Sequence, residues 1–98
     1  MSKTETTPWD AADYLKTEED CAMYLQAVID DSDGEPALFV AALGDIARAR
    51  GMVQLARDTG LTREGLYKAL STEGNPSFAT VVKVCKALGL KLHATRAA

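Results

Sequence analysis

One histidine, His93, stands in the 98 residues. With no second imidazole, and no serine or cysteine placed beside a base, nothing here carries general acid–base or nucleophilic chemistry. The expectation is a protein that is not an enzyme, with no catalytic residues, no cofactor and no small-molecule substrate. Only two cysteines accompany that histidine, which excludes a zinc cluster. Cys21 and Cys85 both fall on apolar helical stripes, so they read as buried free thiols rather than a disulfide. The acids of Asp30 to Glu35 lack the alternating ligands and distant glutamate of a calcium loop, so no metal is expected. No apolar run approaches the roughly 18 residues of a membrane span. The polar N-terminus shows no signal peptide, so a cytoplasmic location is expected, with no membrane partner.

Positive charge is scarce in the first half. Residues 1–47 hold Lys3 and Lys16 against eleven acids, whereas residues 48–98 hold nine Lys or Arg against Asp58, Glu64 and Glu73. The net charge of −3 thus hides a half of −9 and a half of +6. A basic half supplies a phosphate footprint, and an acidic half suits a basic partner. At 47% hydrophobic and 26% charged, the chain is globular and of a length for one domain.

The expected domain divides into an arm with a short helical segment over 1–16, a helical bundle over 17–89, and a strand with its tail over 90–98. Asp10 is placed to cap the segment Ala11 to Leu15. Thr17-Glu18-Glu19-Asp20 starts the first long helix, Thr17 accepting from the Asp20 amide. Cys21, Ala22, Leu25, Val28 and Ile29 form its apolar stripe at helical spacing. Asp31 to Gly34 is a turn, and Pro36 suits the opening of the next helix. That helix faces the core with Leu38, Phe39, Ala42, Leu43, Ile46 and Ala47 and ends near Gly51. Ser77 caps a last helix, Phe78 to Leu88, with Phe78, Val81, Val82, Cys85 and Leu88 as its apolar side and Gly89 as its end. Leu90 to Thr95 then alternates with period two, as a strand does.

The most informative stretch is Met52 to Leu70, MVQLARDTGLTREGLYKAL. It reads as two short helices joined at Gly60, the pattern of a DNA-binding helix-turn-helix. Leu55, Ala56 and Thr59 share one face of the first helix. Gly60 can adopt the left-handed conformation that stops it. Leu61 inserts beneath the turn, and Leu66 and Ala69 carry the second helix onto the first. The exposed side then offers Thr62, Arg63, Glu64, Tyr67 and Lys68 to base edges. Gln54, Ser71 and Asn75 are the candidate phosphate contacts. Gly65 stands inside the second helix, where glycine costs about 1 kcal/mol against alanine. Close approach to DNA or to the preceding helix accounts for it as well as simple tolerance does.

Residues 36–89 resemble the repressor-type helix-turn-helix family of phage Cro and lambda repressor, including Asn75-Pro76-Ser77 and Lys86-Ala87-Leu88-Gly89. More narrowly, the chain is similar to the addiction-module antidote proteins of type II toxin–antitoxin systems. The residues that carry this are Pro8 to Leu15, Ala42 to Met52, Leu61 to Ser71 and Gly74 to Phe78. The resemblance implies an all-α fold: a five-helix repressor-like bundle with an extra N-terminal helical segment and a short C-terminal β-strand. It implies binding to a RelE-fold ribonuclease toxin and repression of the module's own promoter. Val53 departs from the family, where a hydroxyl residue commonly starts the first helix of the motif.

Three functions remain open at this point. The first is a DNA-binding antitoxin and autorepressor. The alternative is a stand-alone phage-type regulator without a toxin, and the third is an interaction module that no longer reads DNA. Expected partners are double-stranded operator DNA, a cognate toxin and a second copy of the chain. For the toxin, the acidic and aromatic residues Trp9, Asp10, Asp13, Tyr14, Glu18, Glu19 and Asp20 are the candidates; packing within the chain's own core is the other use for Trp9 and Tyr14. For a homodimer, Leu90, Leu92 and Ala94 of the terminal strand are the candidates; pairing with Met1 to Thr7 of the same chain is the other.

Overall fold

The computed structural model describes residues 14–31, 33–71 and 73–96. Among them the chain forms five helices and no strand: α1 Glu18–Asp31, α2 Pro36–Arg50, α3 Met52–Thr59, α4 Arg63–Ala69 and α5 Phe78–Ala87. The expected segment at Ala11 to Leu15 falls mostly outside the described residues, but Leu15 is buried in the core. Trp9, Asp10 and Asp13 also lie outside them.

Local chemistry sets the helix ends. The Thr17 hydroxyl accepts from the Asp20 amide at 3.0 Å, and the Asp20 carboxylate accepts from the Thr17 amide at 3.2 Å. This reciprocal box satisfies two amides that α1 cannot. Pro36 occupies the first turn of α2, where its missing N–H costs nothing. Ser77 caps α5 by accepting from the Thr80 amide at 3.1 Å. At the other end of α5, Gly89 sits at φ 79°. The Leu90 amide donates to the Cys85 carbonyl at 2.8 Å and the Gly89 amide to that of Lys86 at 3.1 Å. Those two bonds make a Schellman stop, with Leu90 as its apolar anchor.

The core gathers Cys21 and Leu25 of α1, Leu43, Ile46 and Ala47 of α2, Leu55 of α3, Leu66 of α4 and Val84 and Cys85 of α5. α1 packs on α2, and α3 contacts α2, α4 and α5. Burial raises the pKa of both free thiols, Cys21 and Cys85, so they stay protonated and unreactive.

Four positions differ from the apolar pattern. Ala22 is exposed. Leu38, Phe78 and Val82 are exposed too, while Val40 and Val84 take core places instead. α5 is apolar on more than one side, so periodicity alone does not say which side turns inward. The tail differs as well. Residues 91–96 run exposed, with no ladder among the described residues; the expected pairing partner Met1 to Thr7 lies outside them, and a strand needs a second edge to bond. Leu90 is buried by the Schellman stop of its own helix, whereas Leu92 and Ala94 remain exposed.

Candidate nucleic-acid interface

α3 and α4 form the candidate site, and backbone chemistry fixes the turn between them. Gly60 adopts φ 76°, its amide donating to the Ala56 carbonyl. The Thr59 hydroxyl donates to the Leu55 carbonyl at 2.8 Å and accepts from the Leu61 amide at 3.3 Å. Leu61 packs partly buried against the core. Thr62 then caps α4, its hydroxyl accepting from the Gly65 amide at 2.9 Å. Leu66 points into the core with no exposure. That anchoring turns Arg63, Glu64, Tyr67 and Lys68 to solvent.

These side chains collect around two depressions along α4. Thr62, Arg63, Glu64 and Tyr67 line one. Lys68, Ser71 and Asn75 meet at the other, beside Gly65 and Gly74. Among the described residues neither Arg63 nor Lys68 forms an ion pair; the pair present is Arg48 with Asp45. Both cations are therefore available to an outside anion. Glu64 does not pair with Arg63, so it is free to accept from a base amine.

Several candidate groups already serve the fold. The Thr62 hydroxyl is the α4 cap. The Ser71 hydroxyl donates to the Lys68 carbonyl at 2.9 Å, which uses its only proton. The Gln54 amide donates to Asp58 at 2.8 Å along α3. Gln54 also lies apart from the α4 group, in a polar recess with Glu18, Arg50 and Asp58. Val53 is exposed at the second position of α3, and that helix begins at Gly51 without a side-chain cap.

The glycines explain how α4 is seated. A Cβ on Gly65 would stand 2.9 Å from the Thr62 hydroxyl oxygen, so glycine there protects the cap. A Cβ on Gly44, in the middle of α2, would stand 2.5 Å from the backbone carbonyl oxygen of Leu70. Gly44 thus lets the end of α4 rest directly on α2. Local pattern alone does not mark Gly44 for this role; its one signal in sequence is a glycine inside a helix flanked by core residues.

A second polar group, which sequence spacing does not mark, lies on the α1–α2 seam. The Tyr24 hydroxyl donates to Asp45 Oδ2 at 2.8 Å, and Arg48 Nη2 donates to Asp45 Oδ1 at 2.8 Å. Burial, followed by the bond to the Asp45 carboxylate, pushes the Tyr24 pKa up to about 12.

Of the acidic and aromatic candidates at the other end, Tyr14, Glu18 and Glu19 are exposed. Asp20 is bound into the α1 capping box. Arg50 donates to the Lys16 carbonyl from across the chain, which ties this end to α2. Among the described residues no helix is long and apolar enough to cross a membrane.

No solved structure matches the chain. An uncharacterized protein of Haemophilus influenzae is 54% identical over 85 residues, covering 87% of this chain and 86% of that one. The family model described as a probable addiction module antidote protein matches residues 5–96. That span takes in all five helices, and the chain belongs to this antidote family, whose members imply a cognate toxin partner.

Proposed function

We propose that the protein is an antitoxin of the repressor helix-turn-helix type. It neutralises a RelE-fold ribonuclease toxin by direct binding and represses its own operon by binding operator DNA. It acts by binding and not by catalysis.

One observation carries the DNA half. α4 turns Arg63, Glu64, Tyr67 and Lys68 outward, with no ion pair to them among the described residues, on a helix held by Gly60, Thr62 and Leu66. A short helix so presented suits the major groove. Arg63 has the fork geometry for guanine and Glu64 the acceptors for cytosine, each such contact being worth about 1–3 kcal/mol of discrimination. Lys68 and Asn75 border the same helix and suit phosphates. One such helix covers one half-site, so a palindromic operator takes two copies. In that pair the period-two tail gains the edge it needs to become a strand.

The test is a salt-titrated mobility assay on the module's own promoter. Arg63→Ala should relax sequence preference. Lys68→Ala should weaken binding to all sequences and reduce the salt slope by about 1. Intact operator binding in both variants refutes this face. For the toxin half, family membership supports the partner and charge supports the place. A ribonuclease must hold a phosphate backbone and is therefore basic, and the exposed Tyr14, Glu18 and Glu19 offer it an aromatic anchor and carboxylates. The full-length Tyr14→Ala, Glu18→Lys, Glu19→Lys variant should still bind operator but fail to rescue cells from the toxin. Full rescue moves the toxin surface elsewhere.

A further inference from the structure

The α5 stripe that faces solvent calls for an explanation. Phe78 is 74% exposed, and Val82 and Leu92 are each about two-fifths exposed. These residues are contiguous. Two shallow depressions share Phe78 and Leu92 as a common wall; Pro36 and Phe39 line the first and Val82 the second. A patch of this kind exceeds the scattered single apolar residues that need no account.

Its rims are charged with opposite sign. At the first depression, Asp33 and Glu35 flank the lining residues Gly34 and Pro36, and both acids are exposed. At the second, Lys86 and Lys91 form part of the lining and are exposed. An apolar centre with an acidic rim at one end and a basic rim at the other is complementary to itself. A two-fold axis through the shared wall lays the acidic rim of each copy on the basic rim of the other, as an isologous contact requires. A basic toxin would meet Lys86 and Lys91 unfavourably, and DNA would meet Asp33, Glu35 and an aromatic ring.

We infer that this face, centred on Phe78, Val82 and Leu92, is where a second copy of the chain docks. The need for a second copy rests on the reading above; the place rests on this surface. Asn75 and Pro76 line both the first apolar depression and the one beside Lys68. The dimer face therefore adjoins the DNA-reading face at Asn75 and Pro76, and none of Arg63, Glu64, Tyr67 and Lys68 lines it. The exposed tail after Leu92 leaves the same wall with its edge open to the other copy.

The test is sedimentation equilibrium of the full-length protein without DNA. The wild type should weigh twice 10.5 kDa. Phe78→Glu should raise the dissociation constant at least about 100-fold, since a symmetric contact loses two rings and gains two charges. Its far-UV spectrum should stay the same, because Phe78 contributes little to its own core. The Asp33→Lys, Glu35→Lys variant and the Lys86→Glu, Lys91→Glu variant should each weaken the dimer, and combining all four changes should recover most of the loss. A monomeric wild type, an undiminished Phe78→Glu dimer, or a four-fold variant no better than its parents overturns the inference. So does a monomer that captures the toxin through Phe78. A dimer that ignores operator DNA would refute the DNA reading and leave this face standing; a monomer that binds operator would do the reverse.

Discussion

Gly44→Ala should destabilise the protein, although glycine in mid-helix is ordinarily a site to improve. Propensity alone favours alanine there by about 1 kcal/mol. Against it stands the 2.5 Å separation between the new Cβ and the Leu70 carbonyl oxygen, with Arg48 Nη1 at 3.2 Å. The arginine can swing aside, at some cost to its bond with Asp45. The carbonyl cannot, because Leu70 closes α4 and is itself almost fully buried. Overpacking of this kind costs about 1–3 kcal/mol, and a backbone obstacle belongs at the upper end. The net loss is then about 2 kcal/mol. In a domain of this length that lowers Tm by about 8–16 °C. Thermal unfolding followed by far-UV circular dichroism measures it directly. Because relief of the clash moves the end of α4, operator affinity should also fall when measured well below the transition. An unchanged or higher Tm would show that the propensity gain wins and that α4 does not rest on Gly44 as described.

Gly65→Ala should be close to neutral for stability, since the helix gain of about 1 kcal/mol is offset by loss of the Thr62 cap, also about 1 kcal/mol; denaturant titration of a double-mutant cycle should show Thr62→Ala costing much less in the Gly65→Ala background. Tyr24→Phe should cost about 1 kcal/mol in the same assay, from the lost bond to Asp45. The absorbance difference between wild type and Tyr24→Phe should place the Tyr24 transition at about 12 rather than 10. The sign follows: the folded state holds this proton more tightly, so the stability from Tyr24 is complete below pH 10 and is lost as pH rises toward 12.

Helix positions were readable wherever a terminus carries its own chemistry. Thr17 with Asp20, Pro36, Gly60, Ser77 and Gly89 each mark an end by a bond or a dihedral that needs nothing distant. The facing of helices was less readable. Phe78 and Val82 fit the apolar spacing of α5 as well as Val81 and Val84 do, and only the arrangement of α2 and α3 decides between them. The Asp45–Arg48 pair is a local one, but Gly44 against Leu70 and Tyr24 against Asp45 are contacts between different helices, which no local pattern encodes. The tail is the opposite case. Its alternation is clear, but hydrogen bonding of a strand belongs to two chains or two segments, and one edge cannot supply it.

The same physics bears on the candidate site. Short polar residues beside helix termini satisfy backbone groups there as readily as they contact DNA. Thr62 and Ser71 have the residue type and position that suit a DNA face, yet each hydroxyl is held by α4 itself. Gln54 is likewise held by Asp58, and Asp20 by Thr17. The other four on α4 are longer: Arg63, Glu64, Tyr67 and Lys68, side chains that reach past the helix surface and, among the described residues, cap no backbone. Sequence preference is therefore expected to sit with those four, while Thr62 acts by holding the first turn of α4 in place. That separates two outcomes at one residue. Thr62→Ser keeps the cap and should keep both stability and operator choice, whereas Thr62→Ala should lower stability by about 1 kcal/mol and weaken all operators alike. A change of preferred base with Thr62→Ser, at unchanged stability, would instead make the Thr62 methyl group a direct reader.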